Sequence, residues 1–175
     1  GRFPSLQKDI LSDLAQGQQP YATILGCSDS RVPPEVVFDA HLGELFVVRV
    51  AGNVLGSAIF GTLQYAGAHL RTPLFVVMGH EGCGAVQAAI ASKFQGAEHK
   101  SRIELLVDNI LPALDGLDNS GSPGDLLHLA VEANVRYTVR MLLETPEAKA
   151  RYATSGMQLV GAIYELETGR VRFLE

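Results

Sequence analysis

Three side chains of different chemistry stand at alternate positions in Cys27-Ser28-Asp29-Ser30-Arg31: a thiol, a carboxylate and a guanidinium. In extended backbone, residues i, i+2 and i+4 share one face, so all three can enter the same space. Arg31 can hold Asp29 through paired, charge-assisted hydrogen bonds. That would leave Cys27 beside a fixed carboxylate. A second cluster lies downstream in Gly79-His80-Glu81-Gly82-Cys83-Gly84. His80 and Cys83 are three residues apart where a helix is predicted to begin, a spacing that lets both reach one ion. Cys27 and Cys83 are the two cysteines of the chain. Two thiolates and one imidazole make the three-ligand set of a catalytic zinc, whose fourth position stays open. The plainer alternative keeps the pieces apart, as small buried cysteines, a helix-capping His and a surface ion pair.

The elements that must position these residues are readable from hydrophobic patterning. Tyr21–Leu25, Leu45–Val50 and Leu74–Met78 are short apolar runs. Near-continuous apolar runs of this length fit strands of a parallel sheet buried on both faces. Helices are predicted over Ser5–Gln16 with Ser5 as N-cap, from Pro33-Pro34 to near Asp39, and over Ser57–Leu70, Ala85–Phe94 and Ser101–Leu114. A long helix is expected from about Asp125 to Glu144 and a short one over Pro146–Tyr152. Gln158–Leu166 and Arg170–Leu174 flank Glu167-Thr168-Gly169 as a hairpin. Asp115–Gly124, with Gly116, Asn119, Gly121 and Pro123, reads as a loop. The alternation of strands and helices gives an α/β layered domain. In such sheets ligands bind beyond the carboxyl ends of strands, which is where Cys27, Arg49 and His80 fall. Ala51-Gly52-Asn53 is a loop of small residues that lets backbone approach a ligand.

Bulk properties narrow the function. The 175 residues fit one domain, and 47% hydrophobic content supplies a core. A formal net charge of −5 gives no basic footprint for nucleic acid. No apolar run reaches the ~18–20 residues that span a bilayer. Gly1-Arg2-Phe3-Pro4 has neither signal-peptide nor transit-peptide character. With both cysteines assigned to a metal, a cytoplasmic location is favoured, and export after removal of a presequence is the alternative.

Cys27-Ser-Asp-Ser-Arg31, Arg49-Val-Ala-Gly-Asn53 and His80-Glu-Gly-Cys83-Gly84 together resemble the β-class carbonic anhydrases. The resemblance continues through Gly17-Gln18-Gln19-Pro20, Gly43–Arg49, Leu63-Gln64-Tyr65-Ala66 and Gly161–Gly169, and so covers nearly the whole chain. It implies a mostly parallel central sheet, four parallel strands plus an antiparallel C-terminal strand, flanked by helices. It implies reversible hydration of carbon dioxide to bicarbonate and a proton by a zinc-activated hydroxide, with one Zn²⁺ per chain on Cys27, His80 and Cys83. Asp29 would orient the nucleophile and Arg31 would hold Asp29. In a closed state Asp29 would itself become the fourth ligand. Gln18, Phe46, Ala51, Tyr65 and Gly84 are the substrate-binding positions, with Gln18, Phe46 and Tyr65 supplied by the neighbouring subunit of a homodimer or dimer-based tetramer. Ala51 is smaller than the Val often found there. Arg49 is expected to be a structural, ion-pairing residue at the dimer seam. His41, His69, His99 and His128 are expected to be surface or capping residues. Two other readings stay open: a related zinc hydrolase acting on carbonyl sulfide or carbon disulfide, and a non-catalytic protein in which Asp29 closes a structural zinc site.

Overall fold

The computed structural model describes residues 8–175; the expected N-cap, Ser5, lies outside them. Helix α1 spans Lys8–Leu14 and leads into β1, Ala22–Gly26, whose five residues are all buried. The short α2, Pro34–Val37, begins on a proline whose fixed φ suits a first helical turn. Strand β2 is Leu45–Arg49, and a 3-10 turn follows at Ala51–Asn53. Helix α3, Ser57–Tyr65, passes without a break into a π turn at Ala66–Leu70, which ends on left-handed Arg71. Then come β3 (Leu74–His80), α4 (Gly84–Gln95) and α5 (Ile103–Ile110), with a 3-10 turn at Leu111–Leu114. The chain closes with α6 (Pro123–Leu143), α7 (Pro146–Ser155), β4 (Gln158–Tyr164) and β5 (Val171–Leu174).

The five strands lie in the order β2-β1-β3-β4-β5, the first four parallel and β5 antiparallel to β4. The expected sheet and C-terminal hairpin are therefore present. Strand β1 stands where the winding direction reverses, with β2 on one side and β3 on the other. The crevice beyond its carboxyl end is the position where such sheets bind ligands.

Most of the core lies on one face of the sheet, where Leu25, Val77 and Ile163 pack with Val86, Ile110, Leu114, Val131 and Val135. The other face is thinner: Ala22, Ile24, Val76, Met78 and Ala162 are covered by Val37 and Phe38. Helix α6 approaches the sheet closely because glycines make room for it. A Cβ at Gly79 would lie 2.6 Å from the Val135 side chain, and one at Gly161 would lie 2.9 Å from it. The helix starts cleanly. Ser122 Oγ accepts from the Asp125 N–H at 3.1 Å and donates to the Asp125 carboxylate at 2.7 Å, with Pro123 in the first turn. Among the described residues no helix is long and apolar enough to cross a membrane.

Candidate metal centre

Cys27 directly follows β1, His80 ends β3, and Cys83 immediately precedes α4. β3 runs two residues beyond the apolar stretch because Gly79 and His80 pair with Ile163 and Tyr164 of β4. The Glu81 N–H prolongs that ladder to the Tyr164 carbonyl at 3.1 Å, and the Glu81 carboxylate accepts from the Leu166 N–H at 3.0 Å. His80 is thus carried to the site on a strand held at both ends. The ligand atoms of Cys27, His80 and Cys83 all lie within 4.8 Å of one another, and all three residues are buried. The two sulfurs are 4.0 Å apart.

His80 Nδ1 lies 2.9 Å from the Glu81 carbonyl, which fixes the tautomer with the proton on Nδ1. Nε2 is buried without a hydrogen-bond partner. An imidazole lone pair left bare beside two thiols is the arrangement a zinc ion satisfies, and the donor set is that of a catalytic site. The residues present therefore fit the metal.

The protons on this cluster are coupled. The Cys83 thiol beside Cys27 holds Cys27 well below the usual thiol range, against the effect of burial, with His80 and the Gly52 N–H adding to the effect. Cys83 is pushed far up by its neighbour Cys27 and by burial. For His80, burial disfavours the charged ring, but the neighbouring Cys27 sulfur outweighs it and raises the pKa. A metal entering here must displace these shared protons, so binding weakens as pH falls.

Asp29 stands over the cluster. Its Oδ2 is 3.9 Å from His80 Nε2. Arg31 grips it in a fork, Nε to Oδ1 at 2.9 Å and a terminal nitrogen to Oδ2 at 2.7 Å, and the Arg31 N–H adds a third bond at 3.0 Å. These hydrogen bonds hold the Asp29 carboxyl far below the usual carboxylate range. Arg31 also reaches the Gly82 carbonyl at 3.4 Å, which ties the two sequence clusters together. Asp29 is therefore drawn towards Arg31 and away from the metal position.

Arg49 is structural, as expected, and its contacts within the chain are to backbone. Its guanidinium donates to two backbone carbonyls, Cys27 at 2.9 Å and Asp29 at 2.6 Å. It pins the turn that bears both side chains. Gly52 contributes an N–H to Cys27 Sγ at 3.4 Å. Its φ of 70° favours glycine, and a Cβ there would meet Ile110 at 2.8 Å and Ala85 at 3.1 Å.

Of the expected pocket residues, Ala51 opens the 3-10 turn, just before the Gly52 whose N–H reaches Cys27 Sγ, and the exposed Gly84 opens α4 directly after Cys83. The others lie elsewhere. Phe46 is in register with Thr23, four residues before Cys27, roughly 13 Å away along the strand. Tyr65 is 46% exposed, packs against the Phe46 ring (centroids 6.1 Å apart) and against His69 (4.9 Å). Gln18 is exposed and lines a cleft of about 390 Å³ between the end of α1 and Leu42–Glu44. These three occupy the amino-terminal end of β1 and β2, opposite the metal cluster. A larger cavity of about 730 Å³, lined by Phe60, Leu63, Phe75, Leu142, Met157 and Leu159 among others, contains none of the site residues. Sequence reasoning missed the Tyr65–His69 contact, whose helical i, i+4 spacing was the available signal.

Comparison with known proteins agrees with this geometry. The sequence profile of the carbonic anhydrase family matches residues 22–171. Carbonic anhydrase 2 of Mycobacterium tuberculosis is 38% identical over 175 residues, 97% of this chain and 81% of that protein. The crystal structure of a β-carbonic anhydrase from Aspergillus fumigatus superposes with a TM-score of 0.88 at 26% identity, over 95% of this chain and 81% of that one. A tetrameric β-carbonic anhydrase from Sordaria macrospora shares the fold, with a TM-score of 0.87 at 23% identity over 99% of this chain and 87% of that one. With its sheet order, its clustered thiols and imidazole, and relatives along nearly its whole length, the chain belongs to the β-class carbonic anhydrase family of enzymes.

Proposed function

We propose that the protein catalyses the reversible hydration of carbon dioxide to bicarbonate and a proton, with one zinc ion per chain held by Cys27, His80 and Cys83. The observation that carries this reading is the convergence of those three buried ligand atoms within 4.8 Å beside a carboxylate clamped by Arg31. Bound zinc supplies a Lewis acid that brings the pKa of a water towards neutrality, so that a nucleophile exists at physiological pH. Two thiolate ligands weaken that acidity relative to an all-imidazole site, and the Gly52 N–H on Cys27 Sγ withdraws part of their charge.

Asp29 does the orienting. Held as a carboxylate by Arg31, it accepts the remaining proton of the attacking oxygen in a hydrogen bond and turns a lone pair towards the carbon of the substrate. Arg31 holds Asp29 through three hydrogen bonds. A closed form in which Asp29 would itself bind the metal would require it to part from Arg31. Ala51 and the Gly84 backbone border the space in front of the ligands.

Gln18, Phe46 and Tyr65 complete the pocket from a second copy of the chain, in a homodimer or a tetramer of dimers. Their place at the amino-terminal end of β1 and β2 supports this. A two-fold axis across the strands sets that end of one subunit against the carboxyl end of its partner. There Gln18 donates to a substrate oxygen and the two rings exclude water.

Zinc analysis together with a stopped-flow carbon dioxide hydration assay tests the reading. Expected are about one zinc per chain and rapid hydration. A zinc-loaded protein that leaves hydration at the buffer rate overturns it, and sulfide release from carbonyl sulfide in that case would assign the site to the sulfur analogue.

A further inference from the structure

Two buried polar residues lie on the otherwise apolar inner face of α6. Asn134 is 1% exposed and Thr138 is 2% exposed, among buried Ala130, Val131, Val135 and Leu142. Burying an amide and a hydroxyl is unfavourable unless each finds a partner. The Asn134 amide nitrogen and the Thr138 hydroxyl find one in the same turn, while Asn134 Oδ1 has none among the described residues. Asn134 Nδ2 donates to the Gly52 carbonyl at 2.8 Å, and Thr138 Oγ1 donates to the Asn53 carbonyl at 3.5 Å. The Asn53 N–H closes the turn on the Val50 carbonyl at 3.0 Å. Gly52 and Asn53 both have left-handed backbone, at φ 70° and 45°. Consecutive left-handed residues are uncommon even for Gly and Asn, and the bonds from α6 hold this pair in place.

What the turn delivers is the Gly52 N–H, 3.4 Å from Cys27 Sγ. We infer that Asn134 and Thr138, one helical turn apart on α6, are positioning residues of the metal centre, acting through the Gly52–Asn53 backbone to aim that amide at the Cys27 sulfur. Helix α6 suits the task because it is the longest helix, with 21 residues, and is seated on β3 and β4 through Val135. Its carbonyl-facing side chains hold the orientation of the turn, and the turn holds the charge on one metal ligand. Outer hydrogen bonds of this kind tune both the affinity and the acidity of a bound metal. The inference rests on the zinc reading above, and its test separates the two.

The full chain is loaded with ¹¹³Cd in place of zinc, and proton–cadmium correlations are recorded. Couplings from the β-protons of Cys27 and Cys83 report the metal centre itself. A weaker coupling from the Gly52 amide proton, transmitted through the N–H···S bond, is the expected signature. In Asn134→Leu that coupling is lost while the cysteine couplings remain, and zinc affinity, read by competition with a chromophoric chelator, falls about 10-fold. Thr138→Val, which removes the longer bond, lowers affinity less. Cysteine couplings without a Gly52 coupling in the wild-type chain overturn the inference alone, as does wild-type coupling and affinity in a folded Asn134→Leu. Absence of every coupling overturns the metal centre and the inference with it. Should Asn134→Leu fail to fold, Thr138→Val decides: a weakened Gly52 coupling with intact cysteine couplings supports the inference, and a wild-type coupling with wild-type affinity overturns it.

Discussion

The two ends of β1 and β2 differ in how they are finished. At the carboxyl end Cys27, Asp29, Arg31, Arg49 and His80 are locked to one another and to backbone within one chain, at hydrogen-bonding distances between 2.6 and 2.9 Å for the guanidinium contacts to Asp29 and to the two carbonyls. At the amino-terminal end Gln18 and Tyr65 are exposed, and Tyr65 touches only rings of its own surface cluster among the contacts named above. One end is preorganised by folding, the other is left to assembly. The metal chemistry should therefore respond to point changes in a single chain, and the pocket to how chains combine.

The largest effect is expected at the ligands. Cys83→Ser should reduce zinc content to near zero and hydration to the buffer rate, measured by metal analysis and stopped flow. A Cys83→Ser protein that keeps its zinc would show that the cluster is not the metal site. Next comes Arg31→Ala, which removes the fork on Asp29. Hydration should fall ~100-fold, the scale of lost positioning and proton acceptance, with zinc content unchanged. Arg31→Lys should recover only part, because an ammonium cannot make the paired bonds. Full activity in Arg31→Ala would place the orientation of Asp29 elsewhere.

The shared pocket gives a sharper test. Gln18→Ala should lower activity about 10-fold, the effect of losing one substrate hydrogen bond. Mixing inactive Cys83→Ser chains with Gln18→Ala chains, then letting subunits exchange, should restore activity. In a mixed dimer the intact ligands of one chain meet the intact Gln18 of the other, so about a quarter of all sites become complete after random exchange. If Gln18 served its own chain, mixing would restore nothing. Sedimentation of the same mixture checks that exchange has occurred.

Sequence foresaw this division unevenly, for physical reasons. Buried parallel strands announce themselves as apolar runs, so β1, β2 and β3 were readable, as was the hairpin around Glu167-Thr168-Gly169. The ligands were readable because two cysteines and a histidine at strand ends carry their chemistry in their identity. The end of β3 was not, since Gly79 and His80 extend it only through pairing with β4. The predicted helix Ser57–Leu70 hides a π turn from Ala66, whose one extra residue barely disturbs the apolar pattern. The partners of Arg49 were invisible because backbone carbonyls have no sequence signature; charge alone suggested a carboxylate. Asn134 and Thr138 left a faint trace, two polar residues four apart on an apolar stripe, which is equally the mark of a helix edge.

The smallest effect compares two carboxylate–guanidinium clusters of different geometry. Between α6 and β5, Glu132 accepts two bonds from Arg136 on one oxygen, at 3.0 and 2.8 Å, and one from Arg172 on the other at 3.1 Å. Burial opposes its ionisation, but the two arginines prevail and hold its pKa below the usual value. A carboxyl depressed in the folded state stabilises above its unfolded pKa of about 4.3, and that contribution is lost as pH falls through the folded value. Glu132→Gln should therefore destabilise by under ~1 kcal/mol at pH 7, because the cluster is largely solvated. The gap between variant and wild type should narrow as pH drops below about 4. Urea unfolding of both proteins at pH 7 and at low pH measures it, and hydration activity should not move. Asp29 is gripped differently, with one Arg31 nitrogen on each carboxylate oxygen; Arg31→Ala is expected to cost stability on a similarly small scale, because the pair is solvated, while activity collapses. If instead Glu132→Gln depressed activity as Arg31→Ala should, coupling through α6 would reach the metal centre.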